Sequence, residues 1–429
     1  YANTVNQKFT FDATDKLSFY ARGGYYDNKT RRPYEAYDYN ILHETFNYGI
    51  GAQYMINKGN YITADCYADH FSSSYCFFKD NKTYNGKAGE EQVRKRTRNH
   101  NLSIKGIFKL GNRHKLSVGT EYIVDVLKSQ TDNIAKEDAY TLALFAQDEI
   151  KLLRNLQALI GVRYIYHENF KNHATPNVAL MYKPGKFNFR ASYAAGFRTP
   201  TLSELYATDI AKKNDRLTIG NLDLKPEKNN YFSLSAEYVH ERFSVSVNAF
   251  YNNIRDMIDY NTIATGDKAM EQYGHKEVRQ RDNIAEAKVH GINVSANAYL
   301  GAGFNLSGGY THLNTQDVEL EQPIDKSIKN AYNINAQWAH SWKIYRLNIN
   351  LNGRINSKRF SKSYGYAPEY QLWDLNTRHS FNLKSVIIEP GCGIENLFDY
   401  TDDRPYNSNY ATLTPGRSFY ISLSFKFKS

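Results

Sequence analysis

The stretch SFYISLSFKF at 418–427 alternates without a break, and that alternation restricts the fold more than any other feature of the chain. In an extended chain Phe419, Ile421, Leu423, Phe425 and Phe427 fall on one face, and Ser418, Tyr420, Ser422, Ser424 and Lys426 on the other. A helix would scatter these residues around its circumference; only a strand separates them. The split recurs in Phe243, Val245, Val247 and Ala249 against Ser244, Ser246 and Asn248, and in Leu347, Ile349 and Leu351 against Asn348, Asn350 and Asn352. Ile292, Val294, Ala296 and Ala298 against Asn293, Ser295 and Asn297 repeat it again. The class is therefore all-β.

A soluble β-sandwich also alternates, so strand length and turn spacing discriminate. Soluble strands usually run about 5 to 6 residues. The alternating segments here run about 9 to 18, enough for a tilted membrane crossing. Tight connections fall at 13–16, 57–60, 111–114, 153–155, 184–186, 240–242, 301–303, 341–343 and 383–384. Between them lie longer polar stretches, among them 29–45, 79–92, 197–228, 257–282, 317–327, 358–369 and 398–416. Short turns alternating with long loops is the rhythm of an antiparallel up-and-down outer-membrane β-barrel, and the pattern gives roughly 19 strands.

Composition agrees. With 36 Tyr and 23 Phe the chain is too aromatic for disorder, and a mean hydropathy of -0.64 is too polar for a helical membrane protein. No apolar run approaches the roughly 18 residues of a spanning helix, and no basic-then-apolar leader stands at Tyr1, so the chain either is cytoplasmic or starts after its targeting signal. The net charge of +10 is spread along the chain without a nucleic-acid motif. Three cysteines cannot frame a fold of this length, although Cys66 and Cys76 are near enough in sequence for a local loop disulfide; Cys392 has no evident partner. No Cys/His spacing suggests zinc, and neither a GxSxG elbow around Ser203 and Glu204 nor a phosphate-binding glycine loop occurs. These absences count against an enzyme.

Four motifs in order sharpen the class: GFRTPTLSELY at 196–206, GNLDLKPE at 220–227, IENLFDY at 394–400, and PGRSFYISLSFKF at 415–427. Together they resemble the barrel part of TonB-dependent outer-membrane receptors. The FRTP segment (Phe197, Arg198, Thr199, Pro200), the pair Gly220 and Asn221, and the NLFD segment (Asn396, Leu397, Phe398, Asp399) match the family's boxes. The resemblance implies a 22-stranded barrel with a plugged lumen. The roughly 19 strands counted here then leave about three strands and the plug outside residues 1–429. It further implies active import of a scarce, bulky nutrient, an iron complex such as a siderophore or haem, energised by TonB through the plug. Cobalamin or a glycan is the alternative cargo, and a passive porin-like barrel or an outer-membrane protease or phospholipase is the alternative class. No intrinsic cofactor is implied, and haem or a ferric siderophore would be bound as cargo. The expected setting is the bacterial outer membrane with the C-terminus in the periplasm, in contact with lipid, lipopolysaccharide and a surface lipoprotein, and without nucleic acid.

Candidate ligand contacts follow from position. Haem receptors of the family carry a histidine between the first two boxes; Thr201–Ile219 has none. His167 and His173 would lie near the extracellular mouth, and His43 and His275 in long loops. Each is either an iron ligand or a surface histidine bonded to loop backbone. Arg198 either shapes the strand exit or salt-bridges a ligand or plug carboxylate. Tyr34, Tyr37, Tyr39, Tyr260 and Tyr273 form either an interfacial girdle or, with Arg31 and Arg32, an aromatic cup for a planar or catecholate ligand. In VRKRTRNH, continuing the alternation upward from Leu102 and Ile104 puts Arg94, Arg96 and Arg98 on the outer face, where lipopolysaccharide phosphates would meet them.

Overall fold

The computed structural model describes residues 1–31, 38–82, 84–211, 215–361, 365–402 and 414–428. The chain begins with β1 (Ala2–Thr14), β2 (Leu17–Thr30), β3 (Tyr39–Asn57), β4 (Asn60–Phe77), β5 (Glu91–Leu110) and β6 (His114–Ser129). There follow β7 (Ile134–Leu153), β8 (Leu156–His167), β9 (Lys171–Tyr182), β10 (Phe187–Arg198), helix α1 (Leu202–Tyr206), β11 (Thr208–Ala211), β12 (Arg216–Ile219) and β13 (Glu227–Val239). Next come β14 (Phe243–Thr265), helix α2 (Gly266–Tyr273), β15 (Glu277–Gly301), β16 (Phe304–Asp317), β17 (Asn330–Trp342) and β18 (Tyr345–Asn356). The last strands are β19 (Arg359–Ser361), β20 (Gly365–Ala367), β21 (Tyr370–Asn382), β22 (Val386–Glu395) and β23 (Ser418–Phe427). Among the described residues, setting aside the short β11, β12, β19 and β20 leaves nineteen long strands of the 23, which is the number the alternation gives.

The chain forms two compact units, one of residues 1–178, 194–229 and 255–285, the other of residues 179–193, 230–254 and 286–429. In the first, β1 to β8 form a continuous antiparallel meander in which each strand pairs with the next. In the second, β15 from Ala287 onward continues through β16, β17, β18, β21, β22 and β23 in the same way. No described helix is long and apolar enough to cross a membrane, which says nothing about crossing by strands.

Burial shows what the two faces meet. Leu102 and Ile104 on β5, Tyr122 on β6, Leu142 and Leu144 on β7, and Ile160, Val162 and Tyr164 on β8 share one face by register, and each is 39 to 52% exposed. A contiguous apolar face left this bare needs a nonaqueous neighbour. The opposite face is polar: Arg163 pairs with Glu121 at 2.5 Å, and Asn99 donates to Asp125 at 2.8 Å.

Several boundaries differ from the sequence reading. The stretch expected as a loop at 29–45 is narrower, because β3 begins at Tyr39 and carries His43; Tyr34, Tyr37 and Arg32 lie outside the described residues. The stretch at 257–282 is mostly strand and helix, with Tyr260 on β14 and Tyr273 on α2. Two connections on the long-loop side, 130–133 and 168–170, are as short as turns. Cys66 and Cys76 are both free and both on β4, where ten residues of extended chain separate them by about 33 Å, so they cannot form a local disulfide. These differences share one cause: a polar strand end that projects beyond the apolar band reads as loop when hydrophobicity is the only signal.

Candidate functional site

The segment after β10 is built by its own sequence. Pro200 has no N–H and favours an extended conformation at Thr199, so β10 stops at Arg198. Thr201 then caps α1: its Oγ1 accepts the Glu204 N–H at 3.2 Å, and the Glu204 carboxylate accepts the Thr201 N–H at 2.8 Å. That carboxylate also receives Arg198, Nη1 at 2.9 Å and Nη2 at 3.2 Å. Arg198 forks a second time onto Glu227, Nε at 2.9 Å and Nη2 at 2.6 Å, and Glu227 accepts the Ile258 N–H at 2.8 Å. One guanidinium thereby ties the end of β10, the start of α1 and the start of β13. Burial alone would push the Glu204 carboxyl up, but the bonds from Arg198 and Thr201 outweigh it and hold it below the ordinary carboxylate range.

The second box completes this device. The Gly220 N–H donates to the Ala207 carbonyl at 2.6 Å, the Asn221 N–H donates to the Glu204 carbonyl at 3.0 Å, and a Cβ on Gly220 would strike the Leu205 carbonyl. Leu205, Leu224 and Ile258 close a small core with Phe170 and Tyr206 packed against it. The NLFD box does comparable work in the other unit. Asn396, at φ 52°, donates through Nδ2 to the carbonyls of Tyr400 at 2.8 Å and Pro415 at 3.0 Å, and Asp399 accepts the Arg417 N–H at 2.7 Å. Leu397 donates its N–H to the Trp373 carbonyl at 2.6 Å, whereas Phe398 stays 63% exposed. Both boxes are fasteners at the bases of loops.

A cleft of about 290 Å³ opens beside α1, the β11–β12 hairpin and the first residues of β15. Strand β12 pairs in parallel with β15, setting Thr218 opposite Arg279. Arg216, Arg279 and Arg281 line this cleft, and Arg281 lies 3.5 Å from the centre of the Tyr260 ring while donating to its hydroxyl at 2.6 Å. Arg279 donates to Glu277 at 2.5 Å, and the Arg216 Nε is buried without a hydrogen-bond partner. The other wall carries Ser203, which donates to Asp132 at 3.2 Å, and Asp209. Burial, with Asp132 nearby, pushes the Asp209 carboxyl above its ordinary range. Among the described residues no group of three or more His, Cys, Asp or Glu is arranged to hold a metal ion.

The candidate histidines do not share this cleft. His167 is 7% exposed, accepts the Asn169 N–H at 3.1 Å through Nδ1, and packs on Phe170. His173 donates through Nε2 to the Phe170 carbonyl at 3.0 Å and stacks on Phe197 at 4.6 Å. The His275 Nδ1 donates to Asp215 at 2.9 Å, and that bond is the main cause holding the Asp215 carboxyl low. His43 stacks on Phe71, with Nδ1 buried and unpartnered. Tyr39 is 5% exposed and stacks on Tyr75 at 4.1 Å. The cleft arginines were missed although VRQR spaces Arg279 and Arg281 two apart on one strand face. Arg216, brought in by a parallel pairing from 61 residues earlier, left no such trace.

The TonB-dependent receptor-like β-barrel family model matches residues 1–397, and the chain belongs to that family. Barrels of the family are outer-membrane β-barrels. The fold is similar to that of a ferric enterobactin receptor from Pseudomonas aeruginosa, with TM-score 0.81 and 17% identity over 100% of this chain and 69% of that one. It is also similar to the siderophore receptor PirA from Pseudomonas aeruginosa, with TM-score 0.75 and 16% identity over 100% of this chain and 71% of that one. The ferric preacinetobactin receptor BauA from Acinetobacter baumannii matches with TM-score 0.71 and 14% identity over 99% of this chain and 72% of that one.

Proposed function

We propose that this chain is the membrane-spanning part of an importer for a ferric siderophore, energised through TonB acting on a plug. The long connections face the cell exterior, and the end of β23 lies on the periplasmic side with the short turns. The observation that carries the cargo assignment is the cleft lined by Arg216, Arg279 and Arg281, the last lying over the Tyr260 ring. A ferric catecholate or carboxylate complex carries delocalised negative charge on planar oxygen donors; guanidinium groups offset that charge, and the tyrosine ring gives it a flat partner. The solved relatives named above as receptors for ferric enterobactin and ferric preacinetobactin support the same reading. Haem would draw on histidine, and none of His43, His167, His173 and His275 lines this cleft.

The test uses the complete receptor. Radiolabelled ferric catecholate uptake into iron-starved cells is expected to stop when the proton gradient is collapsed, and to fall in an Arg279→Ala, Arg281→Ala variant. Uptake that persists without the gradient would overturn active transport. Import of haem, cobalamin or a glycan with no ferric chelate uptake would overturn the cargo.

A further inference from the structure

The arginine-lined cleft has a second wall of opposite sign, and the ion pairs there leave one carboxylate over. Among the described residues three acidic side chains line it. Glu204 is taken by Arg198, and Asp132 pairs with Lys95 at 3.5 Å. Asp209, half-buried, forms no ion pair among the described residues. Across the cleft, Arg279 is tied to Glu277, whereas Arg216 keeps a buried Nε without a partner and Arg281 meets Tyr260 rather than a carboxylate. Burial and the nearby Asp132 both disfavour the charge of Asp209. A carboxylate kept where a neutral group would serve the fold better is the mark of a functional group.

Register sets the two signs apart on one face. The β11–β12 ladder puts Asp209 opposite Thr218, and the β12–β15 ladder puts Thr218 opposite Arg279. Residues directly opposite share a face, so Asp209, Thr218 and Arg279 form a row across three strands, with Arg281 two residues further along β15. Neighbouring strands lie about 4.8 Å apart, which separates the backbones of Asp209 and Arg279 by about 10 Å. Thr218, a neutral hydroxyl, stands between them and prevents direct pairing. Size restricts what can bridge the gap. The cleft holds about 290 Å³, at the low end of the roughly 300–1,000 Å³ of ligand sites. A cavity of about 150 Å³ already holds one benzene. There is room for one substituted ring, and not for a metal with three bidentate arms around it.

Resting on the reading of the chain as a ferric siderophore importer, we propose that the cleft seats one arm of the chelate and that this arm is zwitterionic. Its catecholate or carboxylate oxygens meet Arg216 and Arg281, and an ammonium group at its other end meets Asp209. A chelate with neutral arms strips water from Asp209 and returns no cation, so the cleft discriminates against it. The experiment titrates the complete receptor with two synthetic ferric tris-catecholates, one with a free amine on each arm and one with those amines acetylated. The free-amine form is expected to bind at least about tenfold tighter although it carries less negative charge, and Asp209→Asn to bring the two within about twofold. Asp209→Glu should keep most of the preference. The iron-free arm, an amine-bearing catechol amide, should compete with the free-amine chelate for wild type and not for Asp209→Asn. Equal binding of both chelates by wild type, with uptake intact, would overturn this inference and leave the importer reading standing. A variant that shifts both affinities together would show a structural role for Asp209 and would also overturn it, as would failure of the single arm to compete. Binding of neither ferric chelate would overturn both readings. Should Asp209→Asn fail to fold, the preference of the wild type decides, since it requires no variant.

Discussion

The connection between β10 and β13 and the strand pair β22–β23 invert the usual rules of burial in opposite directions. In the connection, charged groups are drawn in: the Glu204 and Glu227 side chains are 13% and 16% exposed, and a small apolar core sits within a loop. In β23, whose printed ladder is with β22 on one side, the apolar Ile421 and Phe427 are exposed along with their polar neighbours, and in β7, paired on both sides, Leu142 and Leu144 are still left 39% and 52% exposed. A water-soluble domain would do neither so thoroughly. The contrast teaches that the strands take their apolar solvent from the membrane, whereas the loops must build their own interior and do so around an ion-pair network.

The largest expected effect breaks the strand side of this contrast. Ile421→Lys should cost about 2–4 kcal/mol in lipid, while Ser422→Lys on the other face should cost under about 1 kcal/mol, read by urea titration of the barrel folded into vesicles. Equal costs would mean that the exposed face of β23 does not meet lipid. On the loop side, Arg198→Ala leaves two carboxylates without their shared cation. The loss should be about 2 kcal/mol, below that of a fully buried pair because the Arg198 side chain is 43% exposed. It should appear as faster hydrogen exchange over residues 201–207, and Arg198→Lys should recover little, since an ammonium cannot fork twice. Arg281→Ala should weaken ferric catecholate binding about tenfold, or about 1.4 kcal/mol, by titration. Thr201→Ala, which removes the cap of α1, should cost about 1 kcal/mol.

The smallest effect is on pH dependence, and its sign differs between two carboxylates of the same connection. Glu204 is held below its ordinary 4.5, so its contribution is present at neutral pH and is lost as pH falls below 4.5 through the folded value. Asp209 is pushed above its ordinary 3.8, so its ionisation costs stability once pH rises past that value. Acidification below pH 4.5 should therefore open the connection in the wild type through Glu204, whereas between pH 7 and that value Asp209 acts in the opposite sense, and Asp209→Asn should slightly stabilise the connection at pH 7. Exchange rates of residues 201–211 measured from pH 3 to 7 distinguish the two.

Strand count and class were legible because alternation is a property of each strand alone: Phe419 and Ile421 declare their face wherever β23 is placed. The boxes were legible as landmarks, and their mechanics were partly so. Pro200 signals the strand stop from the sequence, whereas the helix that the Thr201–Glu204 spacing caps went unread and was found only in the structure. The cleft was not legible, because Arg216 reaches Arg279 only through a parallel pairing and Tyr260 reaches Arg281 only through neighbouring strands.

By itself, then, the sequence determined the all-β class, the number of long strands and which side chains face each way, because period-two patterning is local and repeats in every strand. Tertiary structure decided that Arg198 serves Glu204 and Glu227, that Arg94 falls in a bulge of the β4–β5 ladder and lies over the Tyr75 and Tyr84 rings, and that three arginines from two distant segments line one cleft. Those outcomes depend on register and on long-range pairing, and a shift of one residue in either, which leaves the sequence pattern unchanged, reverses the face a side chain meets.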